Sequence, residues 1–268
     1  MTDLKNKVLT NIKNGSLFSN GYIAIKNRII KYVANHNIFY IFDKDRVRTK
    51  NYLNSIPLID HNHIEAGNYF LDKRIEKGPH SIVYSLGILN DIRFDNYISR
   101  VYNCKVFMYD PTPVSIEFMK SQKNSNFYFF PFGVWTEQTV LTFYEPKYGG
   151  SSSLIDNSSG NDGKTFNAEC YTINQLMQKN GHNHIDVFKA DIEGAALPII
   201  EQMIEQRIFP TEIVVEFERP RKDQSLIDDF FKRVDEVRKK LKYENYREFQ
   251  IPRGHAKYYS IEFLFVKF

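Results

Sequence analysis

The sequence predicts an α/β protein with a doubly wound, mainly parallel sheet of the Rossmann-like kind. Short apolar runs rich in β-branched and aromatic residues alternate with amphipathic segments, as at Ser81–Ser85, Lys105–Tyr109 and Ile185–Ala190. Several of these runs end in a glycine or an acid, which is typical of strands whose carboxyl ends face a ligand. The 268 residues are 42% hydrophobic and 15% aromatic, so the chain can bury a large core and is not a disordered protein.

Composition narrows the functional classes. The formal charge is +4 with scattered Lys and Arg, which permits an acidic substrate but does not indicate a nucleic-acid partner. Cys104 and Cys170 lie far apart, so we expect buried free thiols and a reducing compartment. We expect no signal peptide, and no apolar run approaches membrane-spanning length. These features together predict a cytoplasmic protein without a membrane span.

Residues 1–75 are predicted to be a mainly helical N-terminal extension that serves as a lid or a partner surface. Residues 76–268 are predicted to form the sheet domain. His61 and His63 lie among loop-forming residues, and a solvated loop is favoured over a metal site there.

A β-α-β unit opens the sheet domain. Its first strand, Ser81–Ser85, is followed by a tight turn at Gly87, and Asp91 is predicted to cap the next helix. The second strand, Lys105–Tyr109, ends at Asp110. In doubly wound folds, an acid at this strand tip can bind the ribose of a nucleotide-like ligand.

The elements that follow alternate until the end of the chain. Thr112 is predicted to cap a helix over Val114–Lys120, and residues 135–170 are predicted to be an inserted hairpin with a mobile loop at the ligand edge, or else a connection without function. Leu226–Leu241 has a strongly amphipathic helical pattern. The last two strands, Tyr246–Ile251 and Ser260–Lys267, have no helix between them, which predicts an antiparallel hairpin at the sheet's edge.

The turn after the first strand indicates which nucleotide is bound. It carries one glycine, Gly87, whereas a dinucleotide-binding turn carries three, and Leu89 disfavours close approach of a pyrophosphate. A nucleoside linked to methionine has no phosphate and fits this turn better. Asp110 would then accept hydrogen bonds from both ribose hydroxyls, and Asp91 would receive the ammonium group. The alternative is that Asp91 is only a helix cap and Asp110 only a turn former.

Three segments resemble the FkbM-type methyltransferases, namely Tyr84–Asp95, Asp110–Pro113 and Phe188–Ala195, the last with the pattern Lys-x-Asp-x-Glu-Gly-Ala. The resemblance covers about Val83 to Phe268. It implies a class I methyltransferase fold that binds S-adenosylmethionine, with a seven-stranded sheet ending in an antiparallel hairpin. Many members have a small residue where this chain has Leu89.

The resemblance also implies a site. Gly87 and Asp91 would be cofactor-turn residues, Asp110 the ribose acid, and Asp191 and Glu193 would lie at the mouth of the fourth parallel strand. The predicted cofactor contacts are Tyr84, Ser85, Gly87, Asp91, Asp110, Pro111, Gly133 and Asp191.

The expected reaction is methyl transfer to a hydroxyl oxygen, for which the protein needs a base. The candidate bases are Asp191, Glu193 and His255, because two close carboxylates raise one pKa and the histidine sits in the terminal hairpin loop. The two acids could instead cap a helix or hold the methionine part of the cofactor. A magnesium ion bound by Asp191 with Glu216 or Glu218 is possible but not required, so a metal site stays open.

The family resemblance suggests a sugar hydroxyl in surface polysaccharide or a secondary metabolite as the acceptor. Basic residues near the site could recognise a phosphate, although a solvated basic face is favoured; they are Arg219, Arg221, Lys222 and Arg253. The second enzymatic hypothesis is methylation of a phosphorylated cell-surface modification. A hypothesis of a different class is a cofactor-binding partner protein without catalysis. The sequence leaves the oligomeric state open.

Overall fold

The computed structural model describes residues 44–146, 161–220, 224–251 and 260–268. The chain divides into two compact units, one of Met1–Tyr52 with Gly254–Tyr258 and one of Leu53–Arg253 with Tyr259–Phe268. In the first unit the structure describes helix α1, which spans Lys44–Leu53 and ends at the unit boundary. Everything below concerns the second unit.

The strands of the second unit are β1 (His63–Ala66), β2 (Tyr69–Asp72), β3 (Ile82–Leu86), β4 (Lys105–Tyr109), β5 (Phe127–Phe130), β6 (Gly133–Val134), β7 (Thr139–Pro146), β8 (Asn161–Tyr171), β9 (Val187–Ala190), β10 (Glu212–Glu218), β11 (Tyr246–Gln250) and β12 (Ser260–Lys267). Its helices are α2 (Arg93–Tyr102), α3 (Pro113–Lys120), α4 (Ile173–Asn180), α5 (Ala196–Glu205) and α6 (Gln224–Tyr243). Within the parts of the chain that the structure describes, no helix is both long and apolar enough to cross a membrane.

The central sheet has seven strands in the order β11-β12-β10-β9-β3-β4-β5. Strands β5, β4, β3, β9 and β10 run parallel, and β12 pairs antiparallel with both β10 and β11. The predicted doubly wound sheet with a terminal antiparallel hairpin is therefore confirmed. The last strand itself does not lie at the edge, because β12 enters between β10 and β11. Its residues from Ser260 to Val266 are all buried, as an interior strand requires.

Capping residues and other local sequence signals predict where most of the helices begin. Helix α3 begins at Pro113, and the Thr112 side chain accepts the Ser115 N–H, as predicted from the sequence. Helix α2 differs, since its cap position is Ile92 and no side chain caps it. Asp91 lies one residue earlier and accepts the N–H of Arg93 at 3.1 Å, so the predicted cap is displaced by one residue.

The apolar face of α6 packs into the core as its periodicity predicts. Its residues with at most 4% exposure are Ile227, Phe230, Phe231, Val234, Val237 and Leu241. Leu226, which shares the sequence pattern, is 53% exposed and lies off that face.

A two-stranded hairpin, β1–β2, precedes the sheet and was not foreseen in the predicted helical extension. Two polar contacts join this part of the chain to the start of β10. The N–H of Asp72 donates to the Glu212 carboxylate at 2.7 Å, and the Lys77 ammonium lies 2.5 Å from the same carboxylate. Both side chains of the Lys77–Glu212 pair are buried. Residues 1–43 lie outside the described residues, and the domain division at residue 75 stays a prediction.

His63 is buried at the start of β1, so the interpretation of a solvated loop is wrong for this residue. Its Nδ1 accepts the N–H of Asp60 at 2.9 Å, and its ring packs edge-on against Phe249 at 4.4 Å. His61 is exposed. These contacts make His63 a core residue of the hairpin.

A second small sheet, with the order β6-β8-β7, follows β5. Strands β7 and β8 form the antiparallel hairpin that the sequence predicts within residues 135–170. The loop of residues 147–160 lies outside the described residues, and its predicted mobility over the ligand edge stays a prediction.

Candidate active site

A cleft of about 1020 Å³ lies at the carboxyl ends of β3, β4 and β9. The sheet order reverses its direction between β3 and β9, and such switch points are where ligands bind in open α/β sheets. The lining of the cleft includes Asn68, Tyr69, Gly87, Leu89, Asp91, Asp110, Phe143, Lys189, Asp191 and Glu193. Pro111 and Gly133, two of the predicted cofactor contacts, also line the cleft.

Gly87 begins the turn after β3 with φ of +79°. A Cβ at this position would lie 1.8 Å from the carbonyl oxygen of Asp191, which no side chain can tolerate. The sequence predicts Gly87 as a residue of a tight cofactor turn. The structure shows why this residue must be glycine, because the chain after β9 crosses the turn here and the N–H of Asp191 donates to the carbonyl of Leu86 at 3.1 Å.

Leu89 takes the left-handed conformation with φ of +48°. This conformation costs an L-residue with a side chain roughly 1–2 kcal/mol. A glycine would relieve that strain, because it has no Cβ.

Asp110 is buried and holds this turn in shape. Its Oδ2 accepts the N–H groups of Ile88 at 2.7 Å and Leu89 at 2.9 Å, and its Oδ1 accepts that of Thr112 at 2.8 Å. An ionised carboxylate has about four acceptor positions, so roughly one is left for a ligand. Asp110 is therefore a turn former in this structure, and a ribose contact, which stays a prediction, would involve one hydroxyl rather than two.

Asp91 is held by two neighbours. The Arg93 guanidinium donates to it from Nε at 2.9 Å and from Nη2 at 2.6 Å, and the Asn68 amide donates at 2.6 Å. The hydrogen bonds from Arg93 are the main cause that lowers the pKa of Asp91 to about 2. A cofactor ammonium would have to displace this exposed guanidinium to reach the carboxylate.

Asp191 and Glu193 follow β9 and reach the cleft from the same strand end. The phenol of Tyr69, from β2, donates a hydrogen bond to Asp191. Burial raises the pKa of Glu193 from 4.5 to about 9, and a hydrogen bond with Glu218 and the charges of Glu218, Asp191 and Glu216 add to this shift. Glu193 is thus protonated at neutral pH and cannot accept a proton there. The charge of Asp191 adds to this rise in pKa, as the sequence predicts for paired carboxylates, although burial and Glu218 contribute more.

Lys189 is the residue that sequence reasoning missed. It is 3% exposed, and its ammonium donates to the carbonyls of Leu86, at 3.2 Å, and Gly87. It also lies 5.4 Å from the centre of the Tyr69 ring. Asp95 is fully buried, and burial raises its pKa against the opposing charge of Lys189. A lysine inside an apolar strand was the available signal, since such a charge needs buried partners.

Tyr84 and Ser85, predicted as cofactor contacts, are fully buried and are not among the residues that line the cleft. The Tyr84 hydroxyl lies 2.9 Å from Nδ1 of His182 and 3.0 Å from the Asn180 amide. These two predictions placed strand residues too early, before the chain reaches the edge of the sheet. His255, together with Arg221, Lys222 and Arg253, lies outside the described residues.

The described residues contain no group of three or more His, Cys, Asp or Glu side chains arranged to hold a metal ion. The possibility of magnesium at Asp191 with Glu216 or Glu218 therefore gains no support from the donor geometry.

The family model described as the methyltransferase FkbM domain matches residues 89–248, which is more than half of the chain. The chain belongs to this family. The match begins at residue 89, just after Gly87, and ends at residue 248. Strands β1, β2, β3 and the final strand β12 therefore lie outside the matched residues. The fold is the class I methyltransferase arrangement that the resemblance implied.

Two solved structures are similar to the chain. The fibrillarin pre-rRNA processing protein of Methanococcus jannaschii is 10% identical with a TM-score of 0.41, covering 71% of this chain and 67% of its own. A methyltransferase from Pyrococcus furiosus is 13% identical with a TM-score of 0.32, covering 73% of this chain and 78% of its own. These scores are too low to carry an argument, so the fold assignment rests on the sheet order and the family. No curated protein sequence matches the chain.

Proposed function

We propose that this FkbM-family methyltransferase uses S-adenosylmethionine to methylate a hydroxyl of a sugar or nucleotide-sugar in surface polysaccharide or glycan biosynthesis. The observation that carries the proposal is the position of Asp191, which lines the same cleft as the Gly87 turn. One cleft therefore contains both the predicted cofactor turn and a carboxylate that can take a proton.

The residues of the cleft fit the proposed cofactor at one point. Asp110 keeps about one acceptor position beyond its three backbone donors, and that position would accept a hydrogen bond from one ribose hydroxyl.

When bound, S-adenosylmethionine would supply an electrophilic methyl group, whose bond to sulfur breaks as the acceptor oxygen attacks. Asp191 would take the proton of the acceptor hydroxyl while the new carbon–oxygen bond forms. Glu193, which is hydrogen-bonded to Glu218, would line the cleft beside the acceptor. Lys189 would hold the two carbonyls of the glycine turn and so keep the cofactor side of the cleft rigid.

The charges around the base favour an acceptor whose reacting hydroxyl lies far from any phosphate. Glu216 and Glu218 lie close enough to Glu193 to raise its pKa, so negative charge accumulates beside Asp191. A phosphate near the reacting hydroxyl would be repelled. A sugar hydroxyl without a nearby phosphate therefore fits this wall better than a phosphorylated surface modification does.

Calorimetric titration with S-adenosylmethionine and with its demethylated product tests the cofactor. Absence of binding by either ligand would refute the proposed function. Transfer of radiolabelled methyl groups to a panel of sugar nucleotides and glycans then tests the reaction. Asp191→Asn should abolish turnover with little change in cofactor affinity, while the exposed control Asp229→Asn should match the wild type. Tight binding with no turnover on any acceptor would favour the non-catalytic alternative.

A cytoplasmic location belongs to the same proposal. Cys104 and Cys170 are both buried free thiols, and burial raises the pKa of each to about 11. Thiols that are buried and protonated are slow to oxidise, which agrees with a reducing compartment. Fractionation of the cells that make the protein, followed by immunoblotting, checks this location.

A further inference from the structure

The β1–β2 hairpin is fitted closely to the cleft, although it lies outside the residues that the family model matches. Gly67, in its two-residue turn, has φ of +65°, and a Cβ there would lie 2.4 Å from the N of Phe94 and 2.5 Å from the carbonyl carbon of Arg93. The hairpin turn therefore touches the first turn of α2, and only glycine permits that approach. The Tyr69 ring packs edge-on against Phe94, with ring centres 5.7 Å apart.

The hairpin delivers two consecutive polar side chains to the two acids beside the glycine turn. Asn68 donates its amide to Asp91 at 2.6 Å. Tyr69 donates its hydroxyl to Asp191. Both hairpin residues line the cleft. A hairpin that served only as packing would not need to present a donor to each acid.

Tyr69 is held in place on more than one side. It is 5% exposed, its ring lies over the Lys189 ammonium, and Lys189 in turn holds the carbonyls of the glycine turn. The charged and titratable groups around the Tyr69–Asp191 pair are Lys189 on β9, Glu193 after β9, and Glu216 and Glu218 on β10. A nearby negative charge opposes ionisation of a carboxylate, whereas the hydrogen bond that Tyr69 donates to Asp191 favours its ionisation.

We propose that Tyr69 is the positioning residue for the base: its hydroxyl orients the Asp191 carboxylate and keeps it ionised, so that the β1–β2 hairpin is an integral part of the methyl-transfer site. This inference rests on the proposed function for its catalytic meaning. The pairing itself can be measured without a known acceptor.

The test compares Tyr69→Phe with Tyr246→Phe in the full chain. The two tyrosines are equally buried, with 5% exposure each. The hydroxyl of Tyr246, on β11, donates to the carbonyl of Pro210, and Tyr246 does not line the cleft. The control variant therefore loses a buried hydroxyl outside the site. Carboxyl ¹³C signals of labelled aspartate are followed through a pH titration, and Asp191→Asn identifies the signal of interest. Tyr69→Phe should raise the Asp191 titration midpoint by roughly 1–2 pH units, since a hydrogen bond to a charged group stabilises it by that much. Tyr246→Phe should leave the midpoint unchanged.

Cofactor affinity is measured on the same variants, and Tyr69→Phe should retain it within about threefold. Once an acceptor is found, the variant should lower kcat more than it changes KM and should move the acid limb of the pH–rate profile upward. An Asp191 titration midpoint that is unchanged in Tyr69→Phe would overturn the inference. A Tyr69→Phe protein that fails to fold while Tyr246→Phe folds would overturn it as well, because the Tyr69 hydroxyl would then be a structural group. Failure of the proposed function is a separate result, namely a wild-type protein that binds no cofactor.

Discussion

Asp110→Ala distinguishes a turn former from a ribose ligand. The substitution removes the acceptor of three backbone N–H groups, those of Ile88, Leu89 and Thr112, from a residue that is 4% exposed. Each buried donor left without a partner costs about 1–3 kcal/mol. Because the turn can relax and water can enter the cleft, we expect a loss of about 3–5 kcal/mol in the free energy of unfolding rather than the full sum. Asp110→Asn keeps one acceptor oxygen and should lose about half as much.

Urea unfolding measures this loss, with the fluorescence of the single tryptophan and far-ultraviolet circular dichroism as independent probes. The exposed residue Asp229 provides the control, since Asp229→Ala should change the free energy by less than about 0.5 kcal/mol. Cofactor affinity is measured on each folded variant. An Asp110→Ala protein with wild-type stability and lost cofactor affinity would refute the role of turn former and restore the simple ribose-acid interpretation.

Three further predictions follow from the structure. Gly87→Ala should prevent folding or cost more than about 3 kcal/mol, because its Cβ would meet a main-chain oxygen at 1.8 Å, whereas Gly78→Ala, with no atom within 4 Å, should be neutral in the same urea assay. Glu193 has its pKa raised from 4.5 to about 9 on folding, so its contribution to stability is complete below pH 4.5 and is lost as the pH rises towards 9. The Tm of Glu193→Gln should therefore fall less between pH 6 and pH 9 than the Tm of the wild type does. Parallel Tm–pH curves for the two proteins would contradict this. Lys77→Ala leaves the buried carboxylate of Glu212 without its cation and should lower the free energy of unfolding by about 3–5 kcal/mol. The double variant with Glu212→Gln should recover a large part of that loss, as measured by thermal or urea unfolding.

The elements that could be predicted from the sequence are those with strong local signals. Strand β4 has the predicted bounds, and Thr112 caps α3 as expected, because an apolar run and a cap–proline pair act over only a few residues. The hairpin β1–β2 could not be predicted with the same means. Its strands have four residues each and include the polar residues His63 and Asp72, which are buried only because they meet partners far along the chain.

The candidate site divides in a similar way. The sequence located Gly87, Asp110 and Asp191 at the tips of predicted strands, and all three line the cleft. It placed Tyr84 and Ser85 there as well, because alternation along a strand does not show where the strand stops facing the core. It also gave no role to Tyr69, which belongs to no motif, or to Lys189, because the partners of that lysine within the quoted Lys-x-Asp-x-Glu-Gly-Ala pattern are set by the tertiary structure.

The sequence by itself determined the fold class, the family and the positions of the acids, because these depend on periodicity and on short motifs that act within one strand–turn–helix unit. Only the tertiary structure decided what those acids can do. Asp110 is occupied by the backbone of its own turn, Glu193 is protonated because burial and neighbouring carboxylates oppose its charge, and Asp191 meets a phenol from a hairpin 122 residues away in the chain. Protonation and hydrogen-bond partners depend on burial and on contacts between distant segments, and neither can be read from local spacing.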